Sequence, residues 1–113
     1  YRATRAVHNV ALCDDDSILV FRSDIGRHNA LDKVCGHCLL RGVDTTDKIL
    51  LITGRITVEM LVKAGRMGVP VVVSRSAPTD MSVRLAGHLG ITLVCFVKGG
   101  AMRVFSGFER VTD

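Results

Sequence analysis

The chain has 113 residues, of which 48% are apolar and 23% charged, which suits one domain with a real core. No repeat, low-complexity tract, signal-peptide pattern or bilayer-length apolar run is present. The net charge of +4 is scattered rather than clustered; it fits nucleic acid, anionic lipid or a phosphate-bearing small ligand, and with Tyr1 and four Phe as its only aromatics the chain is a poor stacking platform for single strands.

A nucleic-acid role is therefore set aside, as is a membrane role. The cysteines at 13, 35, 38 and 95 lie mostly inside apolar segments, which suggests buried thiols in a reducing compartment, the cytoplasm. Tyr1 rather than Met opens the chain, so the expectation is a single domain over residues 1–113 taken from a longer protein.

Val7 to Cys13 and Ile18 to Arg22, joined by Asp14-Asp15-Asp16-Ser17, read as a hairpin, with a helix as the alternative for the first limb. A helix follows from about Gly26 to Arg41, with Ala30, Leu31, Val34, Cys35, Cys38 and Leu39 on one stripe and Gly42 as its stop. Lys48 to Ile52 is a short apolar strand of the kind buried on both faces. Thr53-Gly54-Arg55 leads to a second helix, Thr57 to Met67, with Val58, Leu61, Val62 and Met67 as its expected buried positions.

Gly68-Val69-Pro70 ends that helix, and Val71 to Val73 is the next strand. Ser74 to Thr79 is a loop, and Thr79 or Asp80 caps a third helix, Met81 to Leu89. After Gly90 come the strands Ile91 to Val97 and Met102 to Phe105, with Lys98-Gly99-Gly100 between them and a peripheral tail from Gly107. The order β-β-α-β-α-β-α-β-β implies an α/β fold with a mixed, largely parallel sheet and a hairpin at each end.

Ligands of such sheets collect beyond the carboxyl ends of the strands. All four strand-exit loops carry suitable groups: Asp24 to His28, Thr53 to Arg55, Ser74 to Thr79, and Lys98 to Gly100. Arg27, His28, Arg55, Arg75 and Lys98 make this edge cationic, and its glycines admit phosphate closely. The densest loop, Ser23 to Lys33, is a strand-to-helix corner that aims unpaired N–H groups and a helix dipole at one spot. The plainer reading makes it a polar helix start with Asp24 as N-cap.

Cys35-Gly36-His37-Cys38 has the spacing of a redox pair or half a zinc site. It lies well inside a helix rather than at an N-terminus, both thiols fall on the apolar stripe, and no second pair completes four ligands. Buried structural thiols are the expectation, and no metal site is assigned. His8 and His28 suit acid–base work, although His8 fits a hydrogen-bonded pocket equally well. Glu59 favours the start of the second helix, within helical reach of Arg55 or Lys63. Neither a zinc-deaminase motif nor a Gly-x-x-x-x-Gly-Lys phosphate loop is present.

The run Asp24-Ile25-Gly26-Arg27-His28-Asn29-Ala30-Leu31-Asp32-Lys33 resembles the signature of the formate dehydrogenase accessory protein (FdhD) family. Thr53-Gly54-Arg55, Thr57, Glu59-Met60, Lys63-Ala64, Ser76-Ala77-Pro78-Thr79 and Leu93 to Gly100 continue the match, and His8 falls where the family carries a His. The resemblance spans about residues 4 to 106.

It implies a cytidine-deaminase-like fold and a cytoplasmic, dimeric sulfur carrier. Such a protein takes sulfur from a cysteine desulfurase as a persulfide and delivers it to the bis-molybdopterin guanine dinucleotide cofactor of molybdenum- or tungsten-dependent formate dehydrogenase. The site it implies comprises Phe96, Val97, Lys98, Gly99, Gly100 and Ala101, joined by His8, Asp24, Gly26, Arg27, His28, Thr53, Gly54, Arg55, Ser76, Ala77, Pro78 and Thr79. His28 is a possible helper, and guanine nucleotides are possible mimics of the ligand.

The family's persulfide cysteine sits in an upstream Cys-x-x-Cys loop that this chain lacks, so sulfurtransferase activity follows only from the resemblance. Thr4-Arg5-Ala6 replaces the usual Thr-Gly-Gly before the His. Two rival readings remain at this point: a small thiol or redox catalyst using Cys35 and Cys38, and a non-catalytic protein-binding scaffold.

Overall fold

The computed structural model describes residues 8–98, 101–107 and 109, with the backbone alone for Arg27, Val97 and Lys98. Its elements are β1 (His8–Cys13), β2 (Ile18–Asp24), α1 (Arg27–Arg41), β3 (Ile49–Ile52), α2 (Val58–Met67), β4 (Val71–Ser74), α3 (Asp80–Leu89), β5 (Thr92–Lys98) and β6 (Ala101–Ser106). This is the expected order.

The strands form one sheet in the order β2-β1-β3-β4-β5-β6. Because β1 is antiparallel to both β2 and β3, and β3, β4 and β5 run parallel, β2 to β5 all point the same way. Hairpin pairing sets β6 antiparallel to β5. The sheet is therefore mixed: four strands share a direction, yet only β3–β4 and β4–β5 are neighbouring parallel pairs. The insertion of β1 between β2 and β3 is what lowers that number.

Each crossover, β2 to β3, β3 to β4 and β4 to β5, steps across the sheet in one sense, so right-handed connections put all three helices on the same face. Alternate strand residues Val10, Leu12, Val20, Leu50, Ile52, Val72, Leu93 and Cys95 meet Ala30, Leu31, Val34, Cys38, Met60, Leu61, Ala64 and Ala86 there in one core. The opposite face is also apolar. Leu19, Phe21 and Leu51 remain exposed on it, and Asn9, Ala11, Phe21, Leu51, Thr53 and Val73 are among the residues lining a shallow cavity of about 380 Å³.

Helix ends follow from local chemistry. Thr57 and Thr79 occupy extended N-cap positions, and their hydroxyls accept from the N–H groups of Met60 and Ser82. Gly42, Gly68 and Gly90 close the three helices in the left-handed conformation.

The helix faces differ in detail from expectation. The buried line of α1 is Ala30, Leu31, Val34 and Cys38, while Leu39 is 85% exposed. About 100° of turn separates it from Cys38, which carries it off the stripe. In α2 the buried residues are Met60, Leu61 and Ala64, leaving Val58, Val62 and Met67 only partly covered. Gly107 is not peripheral: its carbonyl accepts from Thr92 Oγ1 at 2.8 Å, and a Cβ on it would lie 2.7 Å from Thr92 Cα.

Candidate functional site at the strand-exit rim

Shared direction brings the ends of β2, β3, β4 and β5 to one rim, together with the starts of β1 and β6. His8 lies there opposite Asp24. The backbones of Arg27, at the start of α1, and Lys98, at the end of β5, reach the same rim, as do Thr53, Gly54 and Arg55. Gly99, Gly100 and residues 4 to 6 lie outside the described residues.

At the first corner, Gly26 rather than Asp24 is the N-cap, and no side chain caps it. Asp24 closes a turn instead. Its Oδ1 accepts from the Gly26 N–H at 3.0 Å and from Asn29 Nδ2 at 3.5 Å, and its Oδ2 meets Lys33 Nζ at 2.9 Å. The Lys33 ammonium first, then the Gly26 N–H, hold the carboxyl down at about 2. Lys33 also donates to the Ser23 carbonyl. Glu59 lies 3.7 Å from His28, and Lys63 pairs with Asp32 at 2.8 Å, so α1 and α2 are tied across the rim.

At the second corner, the Asn9 N–H donates to Thr53 Oγ1 at 2.8 Å and the Thr53 N–H to the Asn9 carbonyl at 3.0 Å. Ser23 Oγ donates to Asn9 Oδ1 at 2.7 Å, so this polar cluster spans β2, β1 and the β3 exit. Gly54 has φ of 88°, which favours glycine, and its carbonyl accepts from Ser74 Oγ at 2.6 Å. The second and third loops are stitched by backbone bonds, Ile56 N–H to the Ala77 carbonyl and Thr79 N–H to the Ile56 carbonyl. The third loop joins the fourth where the Phe96 N–H donates to the Ser76 carbonyl.

The fourth corner is the least regular. A bulge falls between Cys95 and Lys98, and Phe96 within it has φ of 58°, the one non-glycine positive φ among the described residues. Its ring lies 5.9 Å from that of Phe105, and the Arg103 guanidinium sits 5.7 and 5.4 Å from the two ring centres. Beside them a cavity of about 460 Å³ is bounded by Ala77, Pro78, Asp80, Arg84 and Val83.

Sequence reading named Phe96, Ala77 and Pro78 but missed Arg103, Phe105, Asp80 and Arg84. The signals were available: 103 and 105 share a strand face, and 80 and 84 are one helical turn apart.

The thiols are not activated. Cys38 is buried and Cys35 half-buried, and desolvation raises both, with the charge of Asp32 also raising Cys35. Burial raises Cys13 as well and pushes Cys95 up to about 11. Among the described residues no group of three or more His, Cys, Asp or Glu is placed to hold a metal, and no helix is long and apolar enough to cross a membrane.

Comparison with known proteins agrees with this architecture. A family model described as the FdhD/NarQ family matches residues 1–112. The sulfur carrier protein FdhD of Bacillus subtilis (strain 168) is 47% identical over 113 residues, covering 100% of this chain and 43% of the relative. That of Listeria monocytogenes serotype 4b (strain F2365) is 47% identical over 112 residues, covering 99% of this chain and 43% of the relative.

A crystal structure of a candidate formate dehydrogenase accessory protein from Desulfotalea psychrophila superimposes with a TM-score of 0.89 at 36% identity, over 96% of this chain and 46% of that one. The chain thus spans less than half the length of these relatives.

Proposed function

The chain belongs to the FdhD/NarQ family, and from that premise we propose that it is the ligand-binding portion of a sulfur carrier serving formate dehydrogenase. Its ligand in this reading is the bis-molybdopterin guanine dinucleotide cofactor, and the site is the strand-exit rim. The observation that carries the reading is the convergence of four exit loops, from β2, β3, β4 and β5, on one rim with Arg55 and Arg75 exposed there. The rim fits such a group: it offers guanidinium donors for phosphate and a cavity edged by aromatic rings and Arg103 for a planar ring.

Arg27, Arg55, Arg75 and Lys98 would neutralise phosphates, while Gly26, Gly54, Gly99 and Gly100 would let the backbone approach them. His8, Thr53, Ser76 and Thr79 complete the polar lining, and His28 is a helper positioned beside Glu59. The bound cofactor would supply the metal centre at which sulfur is installed. No cysteine of this chain combines exposure with a lowered pKa, so the persulfide-bearing step is not assigned to it. The same burial removes support from the thiol-catalyst alternative. Sulfur from a cysteine desulfurase, a homodimeric assembly and a cytoplasmic setting complete the reading.

GDP serves as a mimic. Its addition is expected to raise the melting temperature of the chain, and Arg27→Ala or Arg55→Ala to weaken binding about tenfold, the effect of losing one charge-assisted hydrogen bond. Equal, weak binding by both variants and the parent chain would overturn the assignment.

A further inference from the structure

We propose that Cys35, Cys38 and Met67 form a site for a soft monovalent ion, copper(I), in the cavity between the C-terminal halves of α1 and α2. The site lies toward the helix-end rim, away from the strand-exit loops.

Both helices contribute sulfur. Cys35 and Cys38 stand three positions apart on α1, a spacing that sets their Cβ atoms about 5–6 Å from each other. Both line a cavity of about 230 Å³, and Met67, the last residue of α2, lines it from the neighbouring helix. The Thr45 hydroxyl donates to the Met67 carbonyl and fixes that end of α2. Two thiols and a thioether thus border one small space, whose other walls include Leu39 and Val43. Cys38 is buried but Cys35 only half-buried, which leaves a way in for an ion.

Ligand type decides which ion. Thiolate and thioether donors are soft, and they favour copper(I) over magnesium, calcium or manganese. Structural zinc takes four ligands, and among the described residues no third His, Cys, Asp or Glu joins the pair. His37 lies between the two cysteines in sequence, yet its Nδ1 is 3.1 Å from Arg22 Nη2 on β2. A monovalent ion with a filled d shell is stable on two thiolates, with or without a thioether.

Charge also fits. Binding exchanges two thiol protons, lost to solvent, for one copper(I), so the occupied site carries one net negative charge. Arg66 lines the cavity, has no ion pair among the described residues and offsets that charge. Asp32, whose carboxylate disfavours a thiolate at Cys35, is itself paired with Lys63 at 2.8 Å. Burial keeps both thiols protonated while the site is empty, so the pair stays unreactive until a soft ion displaces the protons.

Anaerobic titration of the reduced chain with copper(I), in competition with bicinchoninate, tests the site. One equivalent is expected to bind, with a thiolate-to-copper charge-transfer band in the ultraviolet. Cys35→Ser is expected to weaken binding at least about 100-fold and Met67→Leu about tenfold, while Cys13→Ala leaves it unchanged. Circular dichroism checks that each variant folds. Copper(I) is also expected to protect Cys35 of the parent chain from iodoacetamide, a readout that needs no variant.

Failure to compete with bicinchoninate, unchanged affinity in Cys35→Ser, or alkylation of Cys35 at the same rate with and without copper(I) overturns the proposal. Loss in Cys35→Ser with no loss in Met67→Leu overturns the three-sulfur site, and tighter binding of zinc than of copper(I) overturns the choice of ion. GDP binding at the strand-exit rim is expected to be the same in Cys35→Ser and the parent chain.

Discussion

The two rims of the sheet are built from the same strands and differ at one corner in what they do with their polar groups. At the rim where helices end, hydrogen-bonding capacity is consumed locally. Asp14 accepts from the N–H groups of Asp16 and Ser17 and closes the hairpin turn. Asp44 does the same for Thr46, the Thr45 hydroxyl donates to the Met67 carbonyl, and Thr92 donates to Gly107. Gly42, Gly68 and Gly90 return N–H groups to their own helices.

At the exit rim the first corner is similarly self-contained, through Asp24, but beside the fourth, among the described residues, Asp80 and Arg84 have no side-chain hydrogen bond or ion pair and face a strained aromatic. The longest family signature thus marks a corner that largely holds itself together, whereas the fourth corner adds Asp80, Arg84, Arg103 and Phe105 to the shorter motifs that contain Ala77, Pro78 and Phe96.

Damage to the helix-end rim should cost stability. Gly107→Ala is the harshest test: the new methyl would enter the van der Waals shell of Thr92 at a φ of 64°. A loss of about 2–5 kcal/mol in urea denaturation is expected from strain plus overpacking.

A smaller effect should follow at the self-contained corner. Because the folded pKa of Asp24 is depressed to about 2, its stabilising contribution is present above the ordinary carboxylate value of about 4 and lost as pH falls through about 2. Asp24→Asn should lower the melting temperature at neutral pH and flatten the wild-type decline across that acid window. An unchanged acid profile would show that Asp24 is not the corner's tie.

The smallest effect is expected from Arg84→Gln, whose exposed side chain should alter the unfolding free energy by no more than about 0.5 kcal/mol. A larger loss would make it part of the scaffold and blur the contrast between the rims.

The sequence showed the elements better than their arrangement. Helix stops at Gly42, Gly68 and Gly90 rest on chemistry within a few residues and were legible, and the third helix's cap was legible to within two positions, Thr79 or Asp80, of which the structure uses Thr79. The common direction of four strands followed from the alternation of strand and helix. The place of β1 between β2 and β3 did not, since it depends on pairing across nearly the whole first half of the chain. Arg103 and Phe105 were read as one more strand because their meeting with Phe96 needs the bulge, and a bulge leaves no periodic trace. The plainer reading of Asp24 as a cap rested on spacing that suits one, and the competing pull of Lys33 is a tertiary contact.

Asn9 has a consequence beyond the rim it occupies. Along β1, Val10 and Leu12 face the helices while Ala11 and Cys13, also buried, face the other way. Grease on both sides gives little penalty for a slip of one position, which would exchange the two sets. What favours one phase for β1 is the polar latch at its beginning, where Asn9 grips Ser23 on one neighbour and Thr53 beyond the other. Alignment of β1 with its two neighbours is therefore favoured at the strand-exit margin rather than in the oily middle of the sheet.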